Sequence, residues 1–149
     1  MVGKIVLGLV LAAACGSAQA APFVIRTAGS DTAIAIDQAS IARIGHYKTA
    51  WTYEFFRGGS PLEGRRTQII GILELINCRT HLVRHLKVVH YLASGLAVGR
   101  QGPRSAWTDT LRGSNTDLML RATCEGPSNA WARRQAANVF ELYGKAWGR

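Results

Sequence analysis

Arg66–Cys78 reads RTQIIGILELINC, and the interpretation of this stretch decides the fold. It is dominated by aliphatic and β-branched residues. A two-residue period puts Ile69, Leu73 and Leu75 on one face and Ile70, Ile72 and Ile76 on the other. Apolar residues on both faces predict a central strand covered, at least in part, from both sides. Gly71 within it marks a bulge or a close helix crossing.

Upstream, Tyr47–Phe56 (YKTAWTYEFF) predicts a second strand with Thr49, Trp51, Tyr53 and Phe55 on one face; Trp51, Tyr53 and Phe55 are read as looking into the core, with an aromatic recognition stripe as the alternative. Gly58-Gly59-Ser60-Pro61 predicts the loop that joins it to the central strand. Thr32–Asp37 (TAIAID) and Phe23–Arg26 are shorter strand candidates, separated by the turn composition Ala28-Gly29-Ser30-Asp31. Downstream, Thr80–Leu92 is open between two readings. Leu82, Leu86 and Val89 fit a helical face, while Leu82, Leu86 and Val88 fit a strand face interrupted by Arg84. Leu96–Val98 predicts a short strand, and Trp107 opens a short segment ending at Arg112-Gly113. Ser114-Asn115-Thr116-Asp117 then predicts a helix start, with Ser114 as cap and Asp117 suited to the helix dipole, and the helix runs to about Cys124. After Gly126-Pro127-Ser128, Asn129–Trp147 predicts a second, amphipathic helix whose apolar residues include Trp131, Val139, Leu142, Tyr143 and Trp147. Trp131 and Trp147 can cover a sheet face, pair with another subunit or rest on a membrane surface, and the sequence does not choose.

The 149 residues allow one domain and exclude the large catalytic barrels. Met1–Lys4, the apolar run Ile5–Ala14 and Ala18-Gln19-Ala20 have the layout of a secretory leader cleaved between Ala20 and Ala21. The organisation expected is a signal peptide over 1–20, a domain over 21–126 and a helical tail over 127–149. Ala12-Ala13-Ala14-Cys15 resembles a lipoprotein box without its usual leucine, so a lipid anchor through Cys15 is the alternative to a discarded leader cysteine. Cys78 and Cys124 then remain as an even pair in an oxidising compartment, which is read as one disulfide. Closing that loop stabilises by about 4 kcal/mol on a chain-entropy argument.

Several ordered features resemble the surface-adhesin protein E family of small exported bacterial proteins. They are Ile36-Asp37, Ser40-Ile41, Ala50-Trp51, Glu74-Leu75-Ile76-Asn77-Cys78 with Arg79, then Tyr91, Gly95, Trp107 and Gly113-Ser114 leading to Cys124. The resemblance implies an α+β fold: an antiparallel sheet of about six strands, a short disulfide-tethered helix, and here an additional C-terminal helix. It also implies that Leu82–Tyr91 is a strand. The family's characterised adhesin binds host matrix and serum proteins, dimerises and is a lipoprotein. This chain is more basic, and the segments that bind host proteins are not recognisable in it.

The chemistry-bearing residues are few. His81 and His85 share a face on a strand or a helix, and no Asp, Glu or Cys at ligand spacing completes a metal site, so His81, His85 and His90 are read as surface or interface residues. Glu54 and Glu74 are read as solvated strand residues rather than a carboxylate pair. No nucleophile elbow, zincin, Walker or dinucleotide motif is present, so neither an enzyme nor a cofactor is expected. The remaining signal is charge: 18 Lys+Arg face 9 Asp+Glu, for a net charge of +9, of which the leader takes away only Lys4. Arg65, Arg66, Arg79, Arg84 and Lys87 are the candidate anion-binding residues, set against the alternative of an ordinary solvated basic surface. Export argues against nucleic acid and favours anionic envelope components (lipopolysaccharide, anionic phospholipid) or acidic host glycans as partners, while host matrix or serum proteins are the partners that the resemblance implies. The functional expectation is an exported, non-enzymatic binding protein of the periplasm or outer cell surface. The alternative is a periplasmic structural protein with no host ligand.

Overall fold

The computed structural model describes residues 21–62, 65–103 and 106–147, so the leader expected over residues 1–20, with Cys15, lies outside it. The strands are β1 (Ala21–Thr27), β2 (Thr32–Asp37), β3 (Ala42–Ile44), β4 (Tyr47–Leu62), β5 (Arg65–Asn77), β6 (Leu82–Tyr91), β7 (Ala97–Gln101), β8 (Thr108–Asp109) and β9 (Ala132–Ala136). Helix α1 (Asn115–Glu125) precedes β9, and α2 (Val139–Lys145) follows it. The strands form one antiparallel sheet in the order β7-β6-β5-β4-β2-β1-β9, with β3 pairing with β4 and β8 pairing with β6. The stretch around Ile72 is an interior strand between β4 and β6, as the two-sided apolar pattern requires, and Leu82–Tyr91 is a strand.

Four expectations change, the last of them at Gly71. Among the described residues the sheet has nine strands rather than about six, partly because the short β3 and β8 extend edges that β2 and β7 leave free. Gly58–Pro61 is not a simple loop: β4 continues through it to Leu62, with its register against β5 shifting between Phe55 and Ser60. The tail is not one helix. Ala132–Ala136 adds to the sheet edge beside β1, with Phe23 opposite Arg134, and only Val139–Lys145 is helical.

Each face of the sheet has its own core. On one, α1 presses Met119, Leu120 and Ala122 against Val24, Ile34, Ile36, Ala50, Ile76 and Val83, with Trp131 at the margin. On the other, Val139 and Leu142 of α2 cover Phe23, Ile25, Ala33, Ala35, Phe55 and Ile69, with Tyr53, Tyr91, Phe140, Tyr143 and Trp147 packed around them. Both tail tryptophans therefore cover sheet faces of their own chain. Burying an aliphatic side chain such as Leu120 or Leu142 contributes about 1.5–3 kcal/mol.

Local chemistry fixes the α1 ends. The Ser114 hydroxyl accepts from the Asp117 N–H at 3.2 Å, as the capping sequence predicts, and the Asp117 carboxylate accepts from the Gly113 N–H at 2.9 Å. At the other end, Lys48 Nζ donates to the Thr123 carbonyl at 2.8 Å, a cation on the negative pole of the helix. The Cys78–Cys124 disulfide, with Cα atoms 5.6 Å apart, fastens that end to the turn after β5. Gly71 marks neither a bulge nor a helix crossing. A Cβ there would stand 3.0 Å from Tyr53 Cε1 and 3.4 Å from Tyr91 Cε2, so the glycine makes room for aromatic rings on the neighbouring strands.

Candidate ligand-binding face

Helix α2 covers only part of its side of the sheet. Trp51, Leu73 and Leu75 point to the same side as Phe55 and Ile69, yet they belong to neither core cluster and are half-buried. Along the β4 face Phe55 is fully enclosed, Tyr53 is half-buried against the core beside α2, and Trp51 is half-buried outside it. Expecting the whole face to look into the core holds at one end only. The Tyr53 phenol is pushed well above its ordinary value, first by burial and then by the nearby Asp37 and Tyr91, so it is a neutral hydrogen-bonding group.

A β-bulge in β6 determines what stands on the open half. Leu75 lies opposite Arg84, Glu74 opposite His85 and Leu73 opposite Lys87, which leaves Leu86 as the extra residue. In a regular strand Arg84 and Lys87, three positions apart, point to opposite faces. The bulge puts both on the open face, roughly 7 Å apart along the strand. The Arg84 guanidinium carbon sits 5.3 Å from the Trp107 ring centroid, and Trp107 stacks on Tyr47 at 5.4 Å. Lys87 Nζ sits 5.9 Å from the Trp51 centroid, and Trp51 stacks on Tyr53 at 6.2 Å. Among the described residues neither cation has a carboxylate partner, and Arg84 Nε is buried without an acceptor. Two cations are thus held over two indoles with their charge uncompensated. The flanking acids are Asp37, whose carboxylate is engaged by the Ala39 N–H, and Asp109, opposite Leu82.

The other candidate anion-binding residues are distributed unevenly. Arg79 is exposed in the turn between β5 and β6. It shares with Arg43, His46, Asn77 and Tyr47 the lining of an open groove of about 690 Å³. Tyr47 connects that groove to Trp107 and hence to Arg84, so Arg79, Arg84 and Lys87 flank one continuous surface. Arg65 and Arg66, described by backbone alone, open β5 at its far end. Arg66 lies seven positions before Leu73, about 24 Å of strand, so the fold does not join them to this surface.

On the opposite face the structure corrects the reading of the acids. Glu74 is fully buried rather than solvated, and its pKa is pushed up to about 8 by burial and then by the neighbouring Glu54. Glu54, half-buried, is raised by burial too, an effect that the Asn115 amide opposes by donating to it at 3.3 Å. His85 Nε2 lies 3.7 Å from Glu74 Oε1, and His85 also lines a pocket of about 280 Å³ with Thr108, Thr110, Ser114 and Thr116. Glu74 itself does not reach that pocket. The contact is an ion pair only when Glu74 is ionised and His85 protonated together. His90 is buried, not a surface residue, and His81 occupies the turn before β6 at φ 58°. Among the described residues no cluster of His, Cys, Asp and Glu has the make-up of a metal site.

A disulfide-stapled antiparallel sheet, clamped by one helix and left half-open beside another, presents cations over aromatic rings on a small α+β domain. Residues 24–125 match the model of the family described as surface-adhesin protein E, and the chain belongs to that family. No curated protein and no solved structure matches the chain.

Proposed function

We propose that this chain is an exported, non-enzymatic adhesin-type binding protein of the cell surface, and that its contact surface is the half of the sheet left open by α2. Family membership supports the adhesin reading. The observation that carries the choice of surface is the pairing of Arg84 with Trp107 and Lys87 with Trp51, on one face and without carboxylate partners among the described residues. Uncompensated cations raise the local concentration of an acidic partner and steer its approach, while the rings supply contact area at low entropic cost. Brief protease treatment of intact producing cells tests the placement. A surface adhesin is digested under conditions that spare a periplasmic marker. Full protection until the outer membrane is opened rejects this reading in favour of a periplasmic envelope component.

A further inference from the structure

We infer that the partner of the open face is an acidic polysaccharide, a chain of sugar rings bearing sulfate or carboxylate groups. This inference rests on the proposed use of that face for binding. Three features of the surface select the class.

The first is the alternation of charge with rings. Arg84 and Lys87 each sit over an indole, and both indoles extend into aromatic pairs, Trp107 with Tyr47 and Trp51 with Tyr53. A pyranose presents an apolar C–H face to an aromatic ring, while its acidic substituent, at the rim, is free to reach a cation. A flexible acidic peptide supplies the charge but no rigid ring to lay against the indoles. The planar guanidinium fork of Arg84 suits two oxygens of one sulfate or carboxylate group.

The second feature is shape. The surface is a pleated sheet face that continues, through Tyr47, into the open groove beside Arg43, His46 and Arg79. Cations along an extended, uncapped path fit a polymer of repeating charge better than a single small anion.

The third feature is where large exposed apolar residues stand. A protein–protein interface concentrates its energy in a central cluster of buried anchors, and membrane docking inserts apolar side chains together. Among the described residues the exposed large hydrophobics are Ile44, Leu96 and Leu111. They lie at the β3–β4 hairpin, in the β6–β7 turn and in the loop before α1, and so form no shared anchor. Leu73 and Leu75 on the open face are half-buried.

The test measures binding of the disulfide-bonded protein to dextran sulfate, unmodified dextran, poly-glutamate of similar charge, and vesicles containing phosphatidylglycerol. The expected result is tight, salt-sensitive binding to dextran sulfate, at least about ten-fold weaker binding to poly-glutamate and to vesicles, and none to dextran. Arg84→Gln with Lys87→Gln lowers dextran sulfate affinity by about ten-fold per lost cation, with the melting temperature held. Trp51→Leu weakens dextran sulfate and leaves poly-glutamate unchanged. If Trp51→Leu lowers the melting temperature, the shift of intrinsic tryptophan fluorescence in the unaltered protein, present with dextran sulfate and absent with poly-glutamate, supplies the same discrimination. Equal affinity for poly-glutamate or vesicles overturns the polysaccharide while leaving the face in place. Dextran sulfate binding that survives the double substitution overturns the face itself. Binding to none of the four probes overturns both.

Discussion

Replacing Glu74 by glutamine tests the buried polar side of the sheet through pH. In the folded protein Glu74 ionises at about 8, against an ordinary value of 4.5. Between those values the unfolded chain has lost the proton and the folded one keeps it, so unfolding releases a proton and stability falls as pH rises. The slope contributed by this one group is about 1.4 kcal/mol per pH unit, and the accumulated cost above pH 8 is about 5 kcal/mol. Glutamine has nearly the same shape and no charge to bury, so Glu74→Gln removes that slope. The variant is close to the unaltered protein at pH 4.5 and more stable than it at pH 8 to 9. Glu54, raised in the same direction, leaves a smaller residual slope of the same sign. Urea unfolding from pH 4.5 to 9, with the disulfide intact, measures the difference. A stability gap between the two proteins that is the same at every pH refutes the reasoning, because it makes Glu74 a packing residue and not a withheld proton.

Three further outcomes follow from the same structure. Asp117 is held below its ordinary value, first by the Gly113 N–H and then by Arg121, so its contribution is present above about pH 4 and lost as pH falls below it; Asp117→Asn flattens that acid limb in thermal melts. Reducing the Cys78–Cys124 bond, or replacing both cysteines by serine, lowers the unfolding free energy by about 4 kcal/mol in denaturant titrations, unfastening the C-terminal end of α1. Gly71→Ala pushes a methyl group against Tyr53 and Tyr91 and costs about 1–3 kcal/mol, read as a lower denaturant midpoint with the near-ultraviolet aromatic spectrum altered.

What the sequence could disclose depended on the range of the interactions involved. The central strand at Ile69–Ile76, the Ser114 cap and the cysteine pair are legible because periodicity, capping and compartment each act through a few residues. The β9 strand was hidden for a geometric reason. Ala132 and Ala136, four apart, share a face in a helix and in a strand alike, and only pairing with distant Ala21–Ile25 chooses the strand. Glu74 reads as polar and therefore exposed; its burial comes from α1, which follows it in the chain by some forty residues and covers its face. The open site was half legible. Arg79, Arg84 and Lys87 are conspicuous as charges, but their gathering on one surface requires Leu86 to be squeezed out of register, and nothing in the strand's own composition announces that bulge. Trp107 carried a weak signal, a lone indole in a polar loop, which is a common sign of a residue that packs on a partner element or a ligand.

The surface itself is most directly tested by the four indole N–H resonances of the ¹⁵N-labelled protein during titration with a short sulfated oligosaccharide. Trp51 and Trp107 stand on the open half of the sheet, while Trp131 and Trp147 pack at the two cores. The account predicts that the Trp51 and Trp107 signals move together and saturate while those of Trp131 and Trp147 stay in place. Movement confined to Trp131 or Trp147, with Trp51 and Trp107 still, contradicts it.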